Sequence, residues 1–229
     1  MRLPETKDRL PWINERMIYL AITGSHAYGT SVPSSDLDLK GVAIPPKEYF
    51  LGFLHRFEQA TYDQPDATIM DIRKFIKLAS DANPSVLEIL FVDEEDQRVV
   101  TPAGRVLLDH RDHFLSTKVR YSFMGYAMSQ LKRIKADRDK QNPKHAMHFV
   151  RLCRMGQEIL RGEGVIVKRP DAEELLSIRQ GNYNHAELVE WGEAQEEEFN
   201  RLYKSSRLPK VPNRKLLDKI CVQLVEEAL

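Results

Sequence analysis

The sequence predicts an α+β fold, with a mixed sheet and flanking helices over residues 1–112 and a mostly helical domain over residues 113–229. One observation is the apolar run at residues 17–23, which has the length of a buried strand and ends at a Gly-Ser turn signal. A second is the helical spacing of apolar residues, which dominates the second half of the chain. A third is composition, because 229 residues with 42% hydrophobic side chains can bury one large core or two small ones.

The first domain is predicted from an alternation of strand and helix patterns. Strands are expected at residues 17–23, 37–44, 57–62 and 68–71, and the last two are expected to pair. Helices are expected at residues 25–28, 72–80, 85–90 and 102–108. Residues 1–16 are predicted to form a polar leader.

The second domain is predicted to consist of helices separated by proline and glycine. A long helix over residues 117–140 is expected to end at Asn142-Pro143. Further helices are expected at residues 144–161, 171–178, 187–204 and 215–228, with a short strand at residues 165–167. Asp171 is expected to cap the helix that begins there.

The most informative motif begins where the first strand ends, at Gly24 and Ser25. Glycine lets a backbone come close to a phosphate, and serine adds a hydroxyl and an amide at the start of a helix, where anions are favoured. A Gly-Ser pair taken alone usually marks only a turn. Its position directly after a buried strand indicates a phosphate-binding turn at Ser25.

Two aspartates, Asp36 and Asp38, follow on the next predicted strand and alternate with Leu37 and Leu39. Because side chains alternate between the faces of a strand, we expect both carboxylates on one face, roughly 7 Å apart, and both leucines in the core. Two such carboxylates repel each other unless a divalent cation binds, and Mg²⁺ typically takes one or two carboxylates plus substrate phosphate oxygens. The combination with the Gly-Ser turn predicts a nucleotide site.

These motifs resemble those of the DNA polymerase beta-like nucleotidyltransferase superfamily, which has Gly-Ser, a short spacer, Asp-x-Asp and a third carboxylate on a later strand. Further segments look like the predicted nucleotidyltransferase group of bacteria and phages, some members of which are linked to RNA repair. The resemblance covers roughly residues 15–180 and rests on Gly24-Ser25, Tyr28-Gly29-Thr30, Ser35-Asp36, Asp38, Gly41-Val42, Asn83-Pro84-Ser85, Leu87-Glu88, Lys144-His145-Ala146-Met147-His148 and Arg151.

The resemblance implies a polymerase beta-like catalytic core that transfers a nucleoside monophosphate from an NTP to an acceptor hydroxyl and releases pyrophosphate. It also implies two divalent cations, Mg²⁺ or Mn²⁺, held by Asp36 and Asp38. Metals about 3.5–4 Å apart stabilise the attacking and leaving oxygens together, which suits this transfer.

The third carboxylate is to be chosen among Asp63, Asp66 and Asp71. Around Asp71 a strand pattern changes into a helical one, which would place this residue at the end of a strand beside the aspartate pair. We therefore predict Asp71 as the third metal ligand, with Asp66 as the second choice. An alternative role for Asp71 is the N-cap of the helix that follows, which aspartate fills well.

Candidate nucleotide-binding residues lie on the predicted helix at residues 144–161. His145 and His148 share a face there, and Arg151 lies near it. They are expected to line the nucleotide or acceptor channel. Structural histidines are the alternative, and a metal site would need a third ligand that this spacing does not supply.

Three further residues are candidates for contact with the nucleotide. Lys74 and Lys118 are each predicted to reach the triphosphate, with a solvated surface position as the alternative. Tyr28 follows the phosphate turn closely and is a candidate platform for the base. Of the two roles, packing of the Tyr28 side chain in the core is favoured.

Charge is distributed unevenly although the formal net charge is zero. Residues 118–169 contain 13 Lys and Arg against 4 Asp and Glu, whereas residues 171–200 contain 9 acidic residues against a single Arg. A basic helical domain facing a metal-carboxylate site would attract a triphosphate and an RNA acceptor. RNA is favoured as the acceptor on this ground and because the resembled group includes members linked to RNA repair, while a protein or a small molecule stays open as the acceptor. Neither the base of the nucleotide nor the oligomeric state follows from these motifs.

Cysteines and hydropathy bear on the compartment. Cys153 and Cys221 have no CxxC spacing, so neither a disulfide framework nor a zinc site is indicated. The longest apolar runs are shorter than the ~20 residues that span a bilayer, and no signal peptide is recognised. A cytoplasmic protein without a membrane partner is expected.

Two functions fit the motifs. The first is an active metal-dependent nucleotidyltransferase, because Gly24, Ser25, Asp36 and Asp38 are all present. The second is a catalytically silent nucleotide-binding or RNA-binding protein on the same fold, such as a sensor or an operon partner. The intact carboxylates favour the enzyme.

Overall fold

A five-stranded mixed sheet forms the first part of the chain, in a computed structural model that describes residues 3, 10–137, 139 and 142–229. The strands are β1 (Met17–Thr23), β2 (Asp38–Ala43), β3 (Gln59–Asp63), β4 (Asp66–Asp71) and β5 (Gln97–Val100). Their order across the sheet is β3-β4-β2-β1-β5, with β2 and β4 parallel and all other neighbours antiparallel. The expected pairing of β3 with β4 is confirmed.

Helices flank the sheet and make up most of the chain from residue 119 onward. In the first part they are α1 (Ile13–Arg16), α2 (Gly24–Tyr28), α3 (Glu48–Leu51), α4 (Ile72–Ser80), α5 (Pro84–Leu87) and α6 (Pro102–Asp109). In the second part they are α7 (Val119–Ala136), α8 (Lys144–Arg161), α9 (Ala172–Arg179), α10 (His185–Ser205) and α11 (Arg214–Ala228). Short 3₁₀ turns occupy Glu88–Leu90, Glu94–Asp96 and Arg111–Phe114. The predicted α+β class is confirmed.

None of the helices within the described ranges combines the length and the apolar character that crossing a bilayer requires.

One predicted strand and one predicted helix cap differ from the structure, and the helix predicted at residues 85–90 is instead α5 followed by the 3₁₀ turn at Glu88–Leu90. The segment at residues 165–167 is irregular, because Val165 and Val167 bury their side chains in the core without a neighbouring strand to pair with. Asp171 precedes α9, but its carboxylate accepts hydrogen bonds from Arg154 and Arg169 and does not cap the helix. An ionic partner outcompetes the helix amides there.

Two predicted boundaries fall partly on residues outside the described ranges. Helix α7 ends at Ala136, whereas the sequence predicted its end at residue 140. Positions 137 and 139 are not helical, and positions 138 and 140 lie outside the described ranges. In the expected leader, residues 1, 2 and 4–9 lie outside them as well. The part of the leader that is described contains α1.

Two apolar clusters cover the two faces of the sheet, and β1 contributes to both because all seven of its residues are buried. Tyr19 and Ala21 face the larger cluster, whereas Leu20 and Ile22 face the smaller one, as the alternation of a strand requires. The larger cluster continues into the helices of the second part. The predicted division after residue 112 stays a proposal.

Glycines allow α8 and its neighbours to approach closely. A Cβ at Gly156 would lie 2.7 Å from Cζ of Phe199 and 2.9 Å from Cβ of Phe123, and both phenylalanines are fully buried. Gly125 on α7 is exposed, and no atom lies within 4 Å of its added Cβ.

We expect opposite effects of the same substitution at these two helical glycines. Gly156→Ala should lower the free energy of unfolding by about 1–3 kcal/mol, because the aromatic rings cannot move aside. Gly125→Ala should raise it by about 0.5–1 kcal/mol, through helix propensity alone. Urea denaturation of both variants measures the difference, and a change of the same sign in both would contradict the packing described.

Candidate active site

The Gly-Ser turn lies against Asp38, the first residue of β2. Thr23 pairs with Asp38 in the β1–β2 register, so α2 begins directly beside that carboxylate. Gly24 has a φ of +66°, and a Cβ at this position would overlap Oδ2 of Asp38. Glycine is therefore needed for both the backbone conformation and the close approach.

The two predicted aspartates occupy different positions relative to the strand. Asp38 is the first residue of β2, whereas Asp36 is exposed and lies in the preceding loop. Leu39 is buried in the core as expected, and Leu37 is half-buried against it. Both carboxylates line the same cavity.

The third carboxylate is where the structure departs from the expected placement. Strands β2 and β4 are parallel, with Leu39 paired to Ala67 and Ala43 paired to Asp71. This register places Asp66 beside Asp38, while Asp71 lies at the opposite end of the strand pair.

Asp71 instead has the alternative role considered for it, that of a helix cap. Its carboxylate accepts a hydrogen bond from the backbone N–H of Arg73 at 2.7 Å and forms an ion pair with the Arg73 guanidinium at 2.6 Å. The residue is 1% exposed and does not line the cavity. Its prediction as a ligand beside Asp38 is therefore corrected, and Asp66 is the carboxylate that the fold brings to this end of the sheet.

Electrostatics set Asp38 apart. Burial raises the pKa of Asp38, and the neighbouring Asp66 raises it further, whereas Lys144 and Lys40 lower it. The negative charge of this carboxylate is therefore incompletely balanced by the protein. An additional cation at this position would relieve the repulsion.

The donor set at this end of the sheet fits Mg²⁺ or Mn²⁺. Asp36, Asp38 and Asp66 supply only carboxylate oxygens, the ligand type that these hard cations prefer. Among the described residues, no three His, Cys, Asp or Glu side chains already converge on one point as metal ligands. Substrate phosphate oxygens commonly supply the remaining ligands of Mg²⁺.

A cavity of about 810 Å³ separates this end of the sheet from α7 and α8. Its sheet side is formed by Gly24, Ser25, Asp36, Asp38 and Asp66. Its helical side includes Arg133, Lys144, His145, His148 and Arg151. A carboxylate wall thus faces a cationic wall, an arrangement that accommodates a metal-bound polyphosphate.

Arg151 and Tyr28 belong to one buried group below the cavity. The Arg151 guanidinium lies 3.8 Å from the centre of the Tyr28 ring and 3.1 Å from Oε2 of Glu88. The Tyr28 hydroxyl donates to Oε1 of Glu88 at 2.6 Å. Because the Tyr28 ring is covered on one face by Arg151 and is 5% exposed, packing and not base stacking describes its position.

The two histidines of α8 also reach the cavity. Burial, followed by the charge of Arg151, lowers the pKa of His148 to about 3. Its Nδ1 lies 3.4 Å from the Arg151 guanidinium, which has only donors, so this nitrogen is the acceptor and the ring is neutral. His145 shares a hydrogen bond of 2.9 Å between its Nδ1 and Oε1 of Gln130, and burial lowers its pKa as well.

Two predicted nucleotide-binding lysines lie elsewhere. Lys74 is on α4, which starts at the far end of β4, and its ammonium pairs with Glu58 at 3.2 Å. Lys118 precedes α7 and pairs with Asp81 at 2.7 Å, about 12 Å along the helix axis from the residues of α7 that line the cavity. Neither lysine lines the cavity, so both predictions are corrected.

Sequence reasoning assigned no site role to three residues of this region: Lys40 and Lys144, which line the cavity, and Glu88, which is buried below it. Lys40 continues the every-second-residue series of Asp36 and Asp38, so strand periodicity alone would have placed its side chain on their face. Glu88 stands within an apolar segment, where a buried carboxylate needs a cationic partner. Lys144 was noted only as the first residue of the motif at residues 144–148 that carries the family resemblance.

The basic character of the helical half is partly neutralised within the protein. Helix α10 supplies carboxylates to the basic helices, with Lys135 paired to Glu193 at 2.6 Å and Arg161 near Glu198 at 3.4 Å. In the described part of the chain, Arg133 and Lys144 have no such ion pair and line the cavity. The cationic field is thereby concentrated at the site.

A mixed sheet that carries a Gly-Ser turn and adjacent aspartates at one end, followed by a helical region, defines a nucleotidyltransferase fold of the DNA polymerase beta type. The chain belongs to the RNA repair pathway DNA polymerase beta family, RlaP, whose sequence profile matches residues 5–223. Family membership indicates a nucleotidyltransferase-type function.

Two curated relatives match about half of the chain. A 38.9 kDa protein from the nrdC-mobD intergenic region of Enterobacteria phage T4 is 29% identical over 119 residues, which are 47% of this chain and 35% of the phage protein. The YcgL protein of Bacillus subtilis is 24% identical over 120 residues, which are 51% of this chain and 46% of YcgL. The match therefore spans less than half the length of either relative.

Among solved structures, a nucleotidyltransferase-like protein from Exiguobacterium sibiricum aligns with 93% of this chain and 74% of its own, at 10% identity and a TM-score of 0.30.

The lowered pKa of His148 predicts how stability depends on pH. Between about pH 6.5, the ordinary pKa of histidine, and the folded value of about 3, the unfolded chain takes up a proton that the folded protein does not. The free energy of unfolding should therefore decrease as the pH is lowered through this range. His148 contributes up to about 1.4 kcal/mol of this decrease per pH unit. His148→Gln should show a shallower fall between pH 7 and pH 5 in urea denaturation.

The exposed His113 provides the control, because His113→Gln should retain the wild-type slope. A slope for His148→Gln equal to that of the wild type would contradict a buried neutral ring at position 148.

Proposed function

We propose that the protein is a metal-dependent nucleotidyltransferase that transfers a nucleoside monophosphate from an NTP to a hydroxyl of RNA. In this reaction the acceptor oxygen attacks the α-phosphorus, the bond to the β-phosphate oxygen breaks, the acceptor proton is released and pyrophosphate leaves. The observation that carries the proposal is the meeting of the Gly24-Ser25 turn with Asp38 and Asp66 at one end of the sheet.

Each wall of the cavity has a role in this proposal. Ser25 offers its hydroxyl and amide to a phosphate, and the absence of a side chain at Gly24 leaves room for that phosphate beside Asp38. Lys144 and Arg133 on the helical wall balance the negative charge of the polyphosphate. These contacts orient the α-phosphorus toward the acceptor, and positioning of this kind supplies much of the rate of phosphoryl transfer.

Asp36, Asp38 and Asp66 are the residues that would hold Mg²⁺ or Mn²⁺. When bound there, the metal lowers the pKa of the acceptor hydroxyl and stabilises the charge on the departing pyrophosphate. The oxygen-only donor set and the raised pKa of Asp38 support this assignment.

RNA as the acceptor is supported by two observations. The family is described as part of an RNA repair pathway. Arg133 and Lys144, which have no ion pair with another described residue, provide attraction at the cavity for a phosphate backbone, and this attraction is expected to weaken steeply with salt. A silent nucleotide-binding protein on the same fold is the competing function, and the assay below distinguishes it.

We expect purified protein with Mg²⁺ or Mn²⁺ to transfer label from an α-labelled NTP to RNA. Asp38→Asn and Asp66→Asn should reduce the transfer by about 100-fold or more, as when other groups that stabilise transition-state charge are removed. Asp71→Asn is the matched control, because this buried aspartate lies at the other end of the sheet. It should lower the free energy of unfolding by about 1–3 kcal/mol and retain transfer per folded molecule.

Loss of transfer in Asp71→Asn with full transfer in Asp66→Asn would overturn the assignment of Asp66. NTP binding that depends on Mg²⁺, with no transfer to RNA, proteins or small hydroxyl compounds, would favour the silent nucleotide-binding protein.

A further inference from the structure

The segment at residues 84–90 connects three parts of the cavity. Ser85 accepts a hydrogen bond from the Lys40 ammonium at 2.9 Å through its backbone carbonyl. Glu88 accepts one bond from Tyr28, on the helix that starts at the phosphate turn, and another from Arg151, on the opposite wall. This one short segment therefore joins the carboxylate strand, the phosphate turn and the helical wall.

Glu88 is among the most deeply buried charged residues of the described chain, with 1% of its surface exposed. Each of its carboxylate oxygens has its own partner, Tyr28 at 2.6 Å and Arg151 at 3.1 Å. A carboxylate removed from water in this way is stable only when such partners satisfy it. Its geometry therefore fixes the positions of both partners.

Arg151 retains unused hydrogen-bonding capacity. It is 2% exposed, one terminal nitrogen contacts Glu88 and the sulfur of Met155, and the other lies 3.4 Å from His148. Its Nε is buried and has no hydrogen-bond partner among the described residues. Because Arg151 also lines the cavity, an unsatisfied buried donor belongs to a residue that a ligand can contact.

We propose that Glu88 is a positioning residue for the polyphosphate of the nucleotide. It holds the Arg151 guanidinium on the helical wall and the Tyr28 end of α2 at a fixed separation, so that Arg151 and the Ser25 turn engage the β- and γ-phosphates together. This inference rests on the proposed function, because it specifies how the same cavity recognises a triphosphate. It assigns no role in the chemical step to Glu88.

A purely structural ion pair elsewhere in the protein provides the comparison. Arg169 is 5% exposed and forms two hydrogen bonds with Glu158, at 2.5 and 2.7 Å. Neither side chain lines the cavity, and the backbone N–H of Arg169 donates to the carbonyl of Tyr28 at the end of α2. Glu158→Gln thus weakens a buried arginine pair without altering the cavity wall.

The test measures binding of a non-hydrolysable NTP analogue with Mg²⁺ by calorimetry, binding of the corresponding NMP, and the free energy of unfolding. Glu88→Gln should weaken NTP binding by about tenfold or more, because Arg151 loses the charged bond that orients it, and NMP binding by less than about twofold. In the transfer assay its KM for NTP should rise while kcat stays within about twofold. Glu158→Gln should change stability alone.

Two further variants keep the inference testable if Glu88→Gln does not fold. Tyr28→Phe removes only one hydrogen bond to Glu88 and should weaken NTP binding by a smaller factor, about threefold. Arg151→Met should weaken NTP binding as Glu88→Gln does, and the double variant should show no additional loss, because the two residues act as a unit.

Equal NTP binding by the wild type and Glu88→Gln would overturn the inference and leave the proposed function intact. Equal losses in Glu88→Gln and Glu158→Gln would also overturn it, because they would show a general loss of structure. A wild-type protein that binds no NTP would overturn both the inference and the proposed function.

Discussion

The close approach of Gly24 to the Asp38 carboxylate is the contact on which the site depends. It follows from the antiparallel register of β1 and β2, which pairs Thr23 with Asp38 and brings the start of α2 to the first residue of β2. Any larger residue at position 24 would displace either the turn or the carboxylate. The Gly-Ser turn and Asp38, the residues proposed to bind phosphate and metal, thus become neighbours through backbone pairing alone, before any side-chain interaction is considered.

Around that contact, the protein balances charge in two separate ways. Acidic residues of α10 neutralise basic residues on the outer faces of the helical half, as in the Lys135–Glu193 pair. Inside, Glu88 neutralises Arg151, while Asp38 and Asp66 remain close together without full compensation. At the cavity, uncompensated negative charge at the end of the sheet therefore faces Arg133 and Lys144, which have no ion pair within the described part of the chain.

Local patterns predicted most of the secondary structure, although β5 and α3 were not expected. The bounds of β1, α4 and α8 agree with the expected ones, because each is specified by its own periodicity and by turn residues at its ends. The strand expected at residues 165–167 was wrong, because a β-strand requires a neighbour that apolar residues alone do not provide. The predicted positions of Asp71, Lys74 and Lys118 at the site were wrong for a related reason. The distance of each residue from the site depends on the direction of β4 or on where its helix begins, which local patterns do not specify.

The sequence by itself determined the family and the fold class, and it predicted the core of the candidate site, because Gly24, Ser25, Asp36 and Asp38 lie within one short segment whose chemistry is local. Only the tertiary structure decided which later carboxylate joins them. The parallel pairing of β2 with β4 brings Asp66 to Asp38 and carries Asp71 to the other end. It also decided that Glu88, Tyr28 and Arg151 form one buried group, since residues separated by about 60 positions meet only through packing.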